Sequence, residues 1–219
     1  MVDRPDRIDL RENPDASLQG AVSLLRDGGV VAHPTETVYG FGSLATPAGI
    51  ARLGALKGRA DQRPFIVLVR SAEEIAELEW TDEATELASV FWPGSVTLVL
   101  KDPLATFPPG VRSDEGTVAV RVSPHPIVKR LLDSVDAPLT STSLNRPGET
   151  PARSSAQAAD VIREIDGAGV LLLDAGTLPE SQTSTIIDCS RQASRILRVG
   201  TVPLSRLRCV IPKIHGHDI

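Results

Sequence analysis

Hydrophobic and polar positions follow two rhythms along the chain, one helical and one extended. Leu18, Val22 and Leu25 recur at helical spacing and Gly28-Gly29 follows them, which predicts a helix over 18–26 with a defined stop. A strand over 30–33 comes next. Thr46-Pro47 supply an N-cap and a first helical position ahead of the apolar face Ile50, Leu53 and Leu56, and Gly58 terminates that helix. Further strands are expected over 65–69, 96–100, 117–122, 138–142, 170–173, 184–188 and 195–199. Helices are expected after the capping pattern Ser71-Ala72-Glu73-Glu74, over 82–91, over 126–135 and near 155–165. Trp92-Pro93-Gly94 breaks the helix over 82–91. Short β-rich runs alternating with helical ones over the whole length predict an α/β fold without internal repeats. The division expected is an extension over 1–17, one domain over 18–207 and a tail over 208–219, since no regular pattern persists beyond Leu207.

Composition narrows the class. A chain of 219 residues can bury a full core, and 41% hydrophobic with 23% charged residues is the balance of a soluble globular protein. No stretch approaches the ~18 apolar residues of a membrane span. Residues 1–7 alternate charge and lack a signal peptide's apolar core, so a cytoplasmic location is expected. Cys189 and Cys209 form neither a zinc pair nor a disulfide framework. A net charge of −5 argues against a general nucleic-acid coat or a membrane anchor, yet leaves room for a local basic cavity. Aromatic content of 3% leaves few rings for stacking successive bases.

The usual nucleotide signatures, G-x-x-x-x-G-K-[ST] and G-x-G-x-x-G after a strand, are missing. Polar segments at strand ends stand in their place: Pro34-Thr35-Glu36-Thr37-Val38-Tyr39-Gly40, Lys57-Gly58-Arg59, Ser143-Leu144-Asn145 and Thr183-Ser184-Thr185. Strand ends are where α/β sheets bind ligands. Each segment also has a plain reading. Lys57 and Arg59 would complement a helix C-terminus, an effect of roughly 0.3–1 kcal/mol. Ser143, Asn145, Thr35 and Thr37 would satisfy turns, and Tyr39 would be a core ring with a wet hydroxyl. The four histidines, His33, His125, His215 and His217, have no metal-ligand spacing, and no G-x-S-x-G elbow appears.

Taken together and in this order, the segments resemble the YrdC-like family of threonylcarbamoyl-AMP synthases. Its hallmarks are Pro-Thr-(Glu/Asp)-Thr-Val-Tyr-Gly, a Lys-x-Arg pair and a Ser-x-Asn loop. Family-like stretches at 91–94, 117–121, 125–126, 184–188 and 196–200 extend the resemblance over about 18–203. It implies a twisted mixed β-sheet with flanking helices around a large basic cavity, in the short single-domain form. It also implies a nucleotidyl transfer in which threonine, bicarbonate or CO2, and ATP with Mg²⁺ give threonylcarbamoyl-adenylate and pyrophosphate. That product serves threonylcarbamoyladenosine (t6A) formation in tRNA, with t6A-pathway proteins as recipients and weak RNA contact as a further implied partner.

Residue by residue, the resemblance makes Lys57 and Arg59 the catalytic phosphate-side cations. Arg63, Thr117, Ser143, Asn145, Pro151 and Arg198 join them as ATP contacts, and Thr35, Arg121, Ser141 and Ser184 are the threonine contacts. No protein side chain is assigned to the metal. Arg121 at a strand end could instead pair with a nearby acid. The chain departs from the family pattern at Leu68, where many relatives carry His, so a polar contact to threonine is expected to be missing there or replaced by an apolar one, and in the loops Ser143-Leu144-Asn145-Arg146-Pro147-Gly148 and Leu197-Arg198-Val199-Gly200. Two other readings stay open: an RNA-binding module that uses the cavity without chemistry, and a paralogue that keeps the nucleotide site but not threonine.

Overall fold

The computed structural model describes residues 6–13, 16–58 and 64–216. In chain order the elements are β1 (Arg7–Asp9), α1 (Gln19–Arg26), β2 (Val31–His33), β3 (Gly40–Gly42), α2 (Pro47–Leu56), β4 (Ile66–Leu68) and α3 (Asp82–Phe91). There follow β5 (Val96–Lys101), β6 (Thr117–Arg121), α4 (Pro126–Val135), β7 (Leu139–Ser143), α5 (Ser155–Glu164), β8 (Leu171–Asp174), β9 (Thr185–Asp188), β10 (Arg195–Arg198) and α6 (Leu204–Arg208). The strands form one ten-stranded twisted sheet in the order β1-β8-β2-β3-β7-β4-β6-β5-β9-β10. It is mixed: β2 runs parallel to β8 and β4 to β6, whereas β7 is antiparallel to both its neighbours, β3 and β4. The mixed sheet with flanking helices is the fold class expected from the sequence.

Helices begin where the sequence places caps. Thr46 accepts from the Gly49 N–H at 3.3 Å with Pro47 in the first turn, and Gly58 beyond the C-terminus takes φ +55°, which a side chain would strain. Thr81 caps α3 in the same way, and His125 caps α4 through its ring. Their apolar stripes then close three cores around the sheet. Leu25, Leu131, Leu132 and Val128 of α1 and α4 pack with Leu139 and Leu173, while Tyr39, Phe41, Leu53, Ala158 and Ile162 pack beneath α2 and α5. The largest core joins α3 to β5, β6, β9 and β10, with Leu87, Leu98, Val120 and Ile187 at its centre.

Three expectations need correction. The Ser71 to Glu74 pattern opens only a single 3-10 turn over Glu73–Ile75, because Glu74 turns back to accept from the Arg70 N–H at 2.7 Å. The chain after Leu207 is not a loose tail through residue 216. Ile211 and Ile214 are buried in the large core, and the His215 carbonyl accepts from Ile196 N–H at 2.9 Å. Leu68 lies with no exposed surface in the core under α1 and α4, so it does not offer an apolar replacement for a polar substrate contact. Sequence patterning also misses β1, β3 and α6. Among the described residues no helix is long and apolar enough to cross a membrane.

Candidate functional site

The strand ends around β7 converge on a cleft of about 480 Å³. The loop before β3 supplies Thr35, Thr37 and Val38, the end of α2 supplies Lys57, the start of β4 supplies Phe65 and Ile66, and the end of β6 supplies Arg121. From the other side come Ser141, Ser143 and Asn145 of β7 and its loop, Ser184 before β9, and Arg198 at the end of β10. The cations on its wall, among the described residues, are Lys57, Arg121 and Arg198.

Polar groups of the wall hold one another across the cleft. Thr35 Oγ1 donates to the Val38 carbonyl at 2.7 Å and accepts from the Thr37 and Val38 N–H groups at 3.1 Å, closing a turn that fixes the whole segment. Lys57 Nζ donates to the Ser143 carbonyl at 3.0 Å, to the Asn145 carbonyl at 2.8 Å and to Asn145 Oδ1 at 3.2 Å. That one ammonium therefore ties the end of α2 to the loop after β7. Ser143 Oγ donates to Asn145 Oδ1 at 2.5 Å, and Asn145 Nδ2 donates onward to the Arg146 and Glu149 carbonyls. Arg198 reaches back across the hairpin to donate to the Ser184 carbonyl at 2.7 Å and to Ser184 Oγ at 3.2 Å.

At the deep end Arg121 is 5% exposed and its Nη1 lies 3.1 Å from Glu36 Oε1. Burial pushes its pKa down while Glu36 pulls it up. Its Nε is buried and has no partner among the described residues. Behind Ser141, His33 is fully buried; its Nδ1–H donates to the Pro34 carbonyl at 3.2 Å, which leaves Nε2 to accept from Ser141 Oγ at 3.5 Å. Burial, with Arg121 and His125 adding to it, pushes the His33 pKa down to about 4, so its ring is neutral near pH 7. Gly40 and Gly42 make room for that ring, since a Cβ at Gly42 would stand 2.9 Å from its Cδ2.

The cleft thus gathers Thr35, Lys57, Arg121, Ser141, Ser143, Asn145, Ser184 and Arg198 from the residues the sequence singles out. Thr117 begins β6 and bonds Ser113 Oγ at 2.8 Å, four residues, or about 13 Å, back along the strand from Arg121. Neither it nor Pro151, next to Ala152 whose carbonyl holds Tyr39 N–H, forms part of the cleft wall. Arg59 and Arg63 lie outside the described residues. Tyr39 is the core ring of the plain reading, its hydroxyl donating to the Gly176 carbonyl at 2.9 Å. Sequence reasoning gives no role to Phe65, Ile66, His33 or Glu36. Glu36 stands inside a recognised segment, but only the sheet brings it to Arg121, and no local spacing announces that pair.

Residues 23–200 match the Sua5/YciO/YrdC family model, described as "Telomere recombination". The chain is 30% identical over 213 residues to the threonylcarbamoyl-AMP synthase of Bacillus subtilis, covering 96% of this chain and 61% of that protein. It is 38% identical over 173 residues to the threonylcarbamoyl-AMP synthase of Chromohalobacter salexigens, covering 77% of this chain and 90% of that one. Among solved structures, Pyrococcus abyssi Sua5 complexed with L-threonine superposes with a TM-score of 0.88 at 32% identity, covering 96% of this chain and 62% of that one. The chain spans about three fifths of the length of the B. subtilis and P. abyssi proteins.

Proposed function

The chain belongs to the Sua5/YciO/YrdC family, and from that membership we propose that its cleft joins L-threonine, a bicarbonate-derived carboxyl group and ATP into L-threonylcarbamoyladenylate. The observation that carries the proposal is the division of the cleft. Its deep end presents the buried Arg121, whose Nε has no partner among the described residues, beside Ser141, Ser184 and Thr35; its mouth presents Lys57, Ser143, Asn145 and Arg198. A planar fork suits a carboxylate, and cations with hydroxyls suit phosphates.

In the proposed reaction the threonine amine adds to CO2, loses a proton and becomes a carbamate. A carbamate oxygen attacks the α-phosphorus of ATP; that P–O bond forms as the bond to the bridging oxygen breaks, and pyrophosphate leaves with the electron pair. Nucleophile and electrophile are both anionic, so the protein's part is to neutralise charge and to align them. Lys57 and Arg198, together with Arg59 and Arg63, take the phosphate side of that task, whereas Thr117 and Pro151 stand off the cleft wall and have no part in it. Mg²⁺ enters as part of the MgATP substrate, bound chiefly by phosphate oxygens and water. Among the described residues no group of three His, Cys, Asp or Glu side chains could hold an ion.

The proposal extends to a cytoplasmic protein with residues 18–207 as its catalytic body, whose adenylate passes to proteins that modify tRNA. The test is pyrophosphate release from MgATP with threonine and bicarbonate each left out in turn. Release that needs both is the expected outcome. Release indifferent to threonine would favour a paralogue with another acceptor, and RNA binding without any release would favour a binding module.

A further inference from the structure

We propose that Glu36 is a positioning residue: by holding Nη1 of Arg121 it turns the Nε–Nη2 edge of the guanidinium toward the substrate carboxylate. The inference rests on the reading above, in which Arg121 is the carboxylate anchor. A guanidinium has two edges that can grip a carboxylate with two parallel bonds, one formed by Nη1 and Nη2 and the other by Nη2 and Nε. Glu36 Oε1 sits 3.1 Å from Nη1 and so engages the first edge. Nε, on the second edge, is buried and has no partner among the described residues, which leaves that donor for a ligand in the cleft.

Glu36 is braced for this task. Ser95 Oγ donates to Oε1 at 3.2 Å and Ser123 Oγ donates to Oε2 at 2.6 Å. Ser123 Oγ in turn accepts from His125 N–H at 3.2 Å, so the carboxylate is fixed from β5 and from the start of α4 together. Two opposing effects decide what Glu36 does for threonine. Its negative charge would repel an incoming carboxylate, whereas its grip keeps a buried cation paired and correctly turned. The short brace from Ser123 and the orphaned Nε both speak for orientation. A residue present only to balance charge would not need fixing by two further donors.

The test is calorimetric titration of the whole chain with L-threonine, alongside steady-state KM for threonine and for ATP. Glu36→Ala is expected to weaken threonine binding about tenfold or more while the KM for ATP stays within about twofold. Glu36→Gln keeps the length and an acceptor oxygen, and is expected to hold threonine within about threefold of wild type. In the double variant Glu36→Ala/Arg121→Lys, binding should be no weaker than in Arg121→Lys alone, because Glu36 acts through Arg121. Tighter binding in Glu36→Gln, an unchanged Glu36→Ala, or losses that multiply in the double variant would each overturn the proposal. Threonine binding untouched by Arg121→Lys would instead sink the anchor reading beneath it. Should Glu36→Ala fail to fold, Ser123→Ala removes the brace, along with the acceptor of His125 N–H, and leaves Glu36 in place; a loss of a few fold for threonine alone supports the role, and no loss overturns it.

Discussion

His33 is a fully buried group whose ionisation the fold opposes. With its pKa at about 4 in the folded chain against 6.5 ordinarily, the unfolded chain takes up the proton first as the pH falls. The stability that neutral His33 contributes is therefore complete above about pH 6.5 and drains away toward pH 4, by about 2 kcal/mol between pH 7 and pH 5. His33→Phe keeps a ring in the space beside Gly42 and has nothing to titrate. Urea unfolding at pH 7 and pH 5 should show that loss in wild type and a loss smaller by about that amount in His33→Phe; parallel losses would contradict the assignment. At this scale the sequence displays the residues of the recognised segments but not their partners. Thr35, Ser143 and Asn145 announce themselves because their contacts are local turns. His33 to Ser141 is a contact between β2 and β7 and Glu36 to Arg121 an ion pair between a loop and β6, and only the folded sheet brings each pair together.

Two capping patterns with the same residue spacing behave differently. Ser154 accepts from the Gln157 N–H at 3.2 Å while Gln157 Oε1 accepts from the Ser154 N–H at 3.2 Å, and α5 follows. The Ser71 pattern stalls after one turn, because Glu74 is drawn to Arg70 and Glu79 N–H is taken by the Lys101 carbonyl in a bridge to β5. Ser154→Ala should therefore lower stability by about 1 kcal/mol and Ser71→Ala by no more than about 0.5 kcal/mol, read as denaturation midpoints. Equal losses would mean that the cap on α5 carries no special weight. Helices with an N-cap and a periodic face were legible to within a residue or two, as α3 and α4 are. β3 was not, since the two glycines flanking Phe41 weaken the strand signal; they are there because Thr140, Thr142 and His33 press against it. β1 escapes notice for a related reason: three residues, two of them charged, pair with β8 and are anchored when Arg7 meets the buried Asp174 at 3.2 Å.

For the molecule as a whole, β7 is the seam. It joins the half of the sheet backed by β2, β3 and β8 to the half carrying β4, β5, β6 and β9, and its last residues open into the cleft where both halves contribute. That is why residues distant in sequence meet there, and why the candidate site was legible as separate segments while its interior wiring was not. The segment from Leu207 through residue 216 is integral to the second half, as Ile211 and Ile214 complete its core. The sequence lacks a regular pattern there because a five-residue helix and a turn bury isolated apolar residues without repeating. The central claim is that this cleft builds one product from three substrates. The most direct measurement supplies ¹⁴C-bicarbonate, MgATP and L-threonine to the purified chain and separates the nucleotides by chromatography at once. The expected result is a single new adenylate carrying the ¹⁴C label, absent when threonine is withheld and accompanied by an equal amount of pyrophosphate. ATP consumed without labelled adenylate, or label incorporated equally well without threonine, would contradict the account.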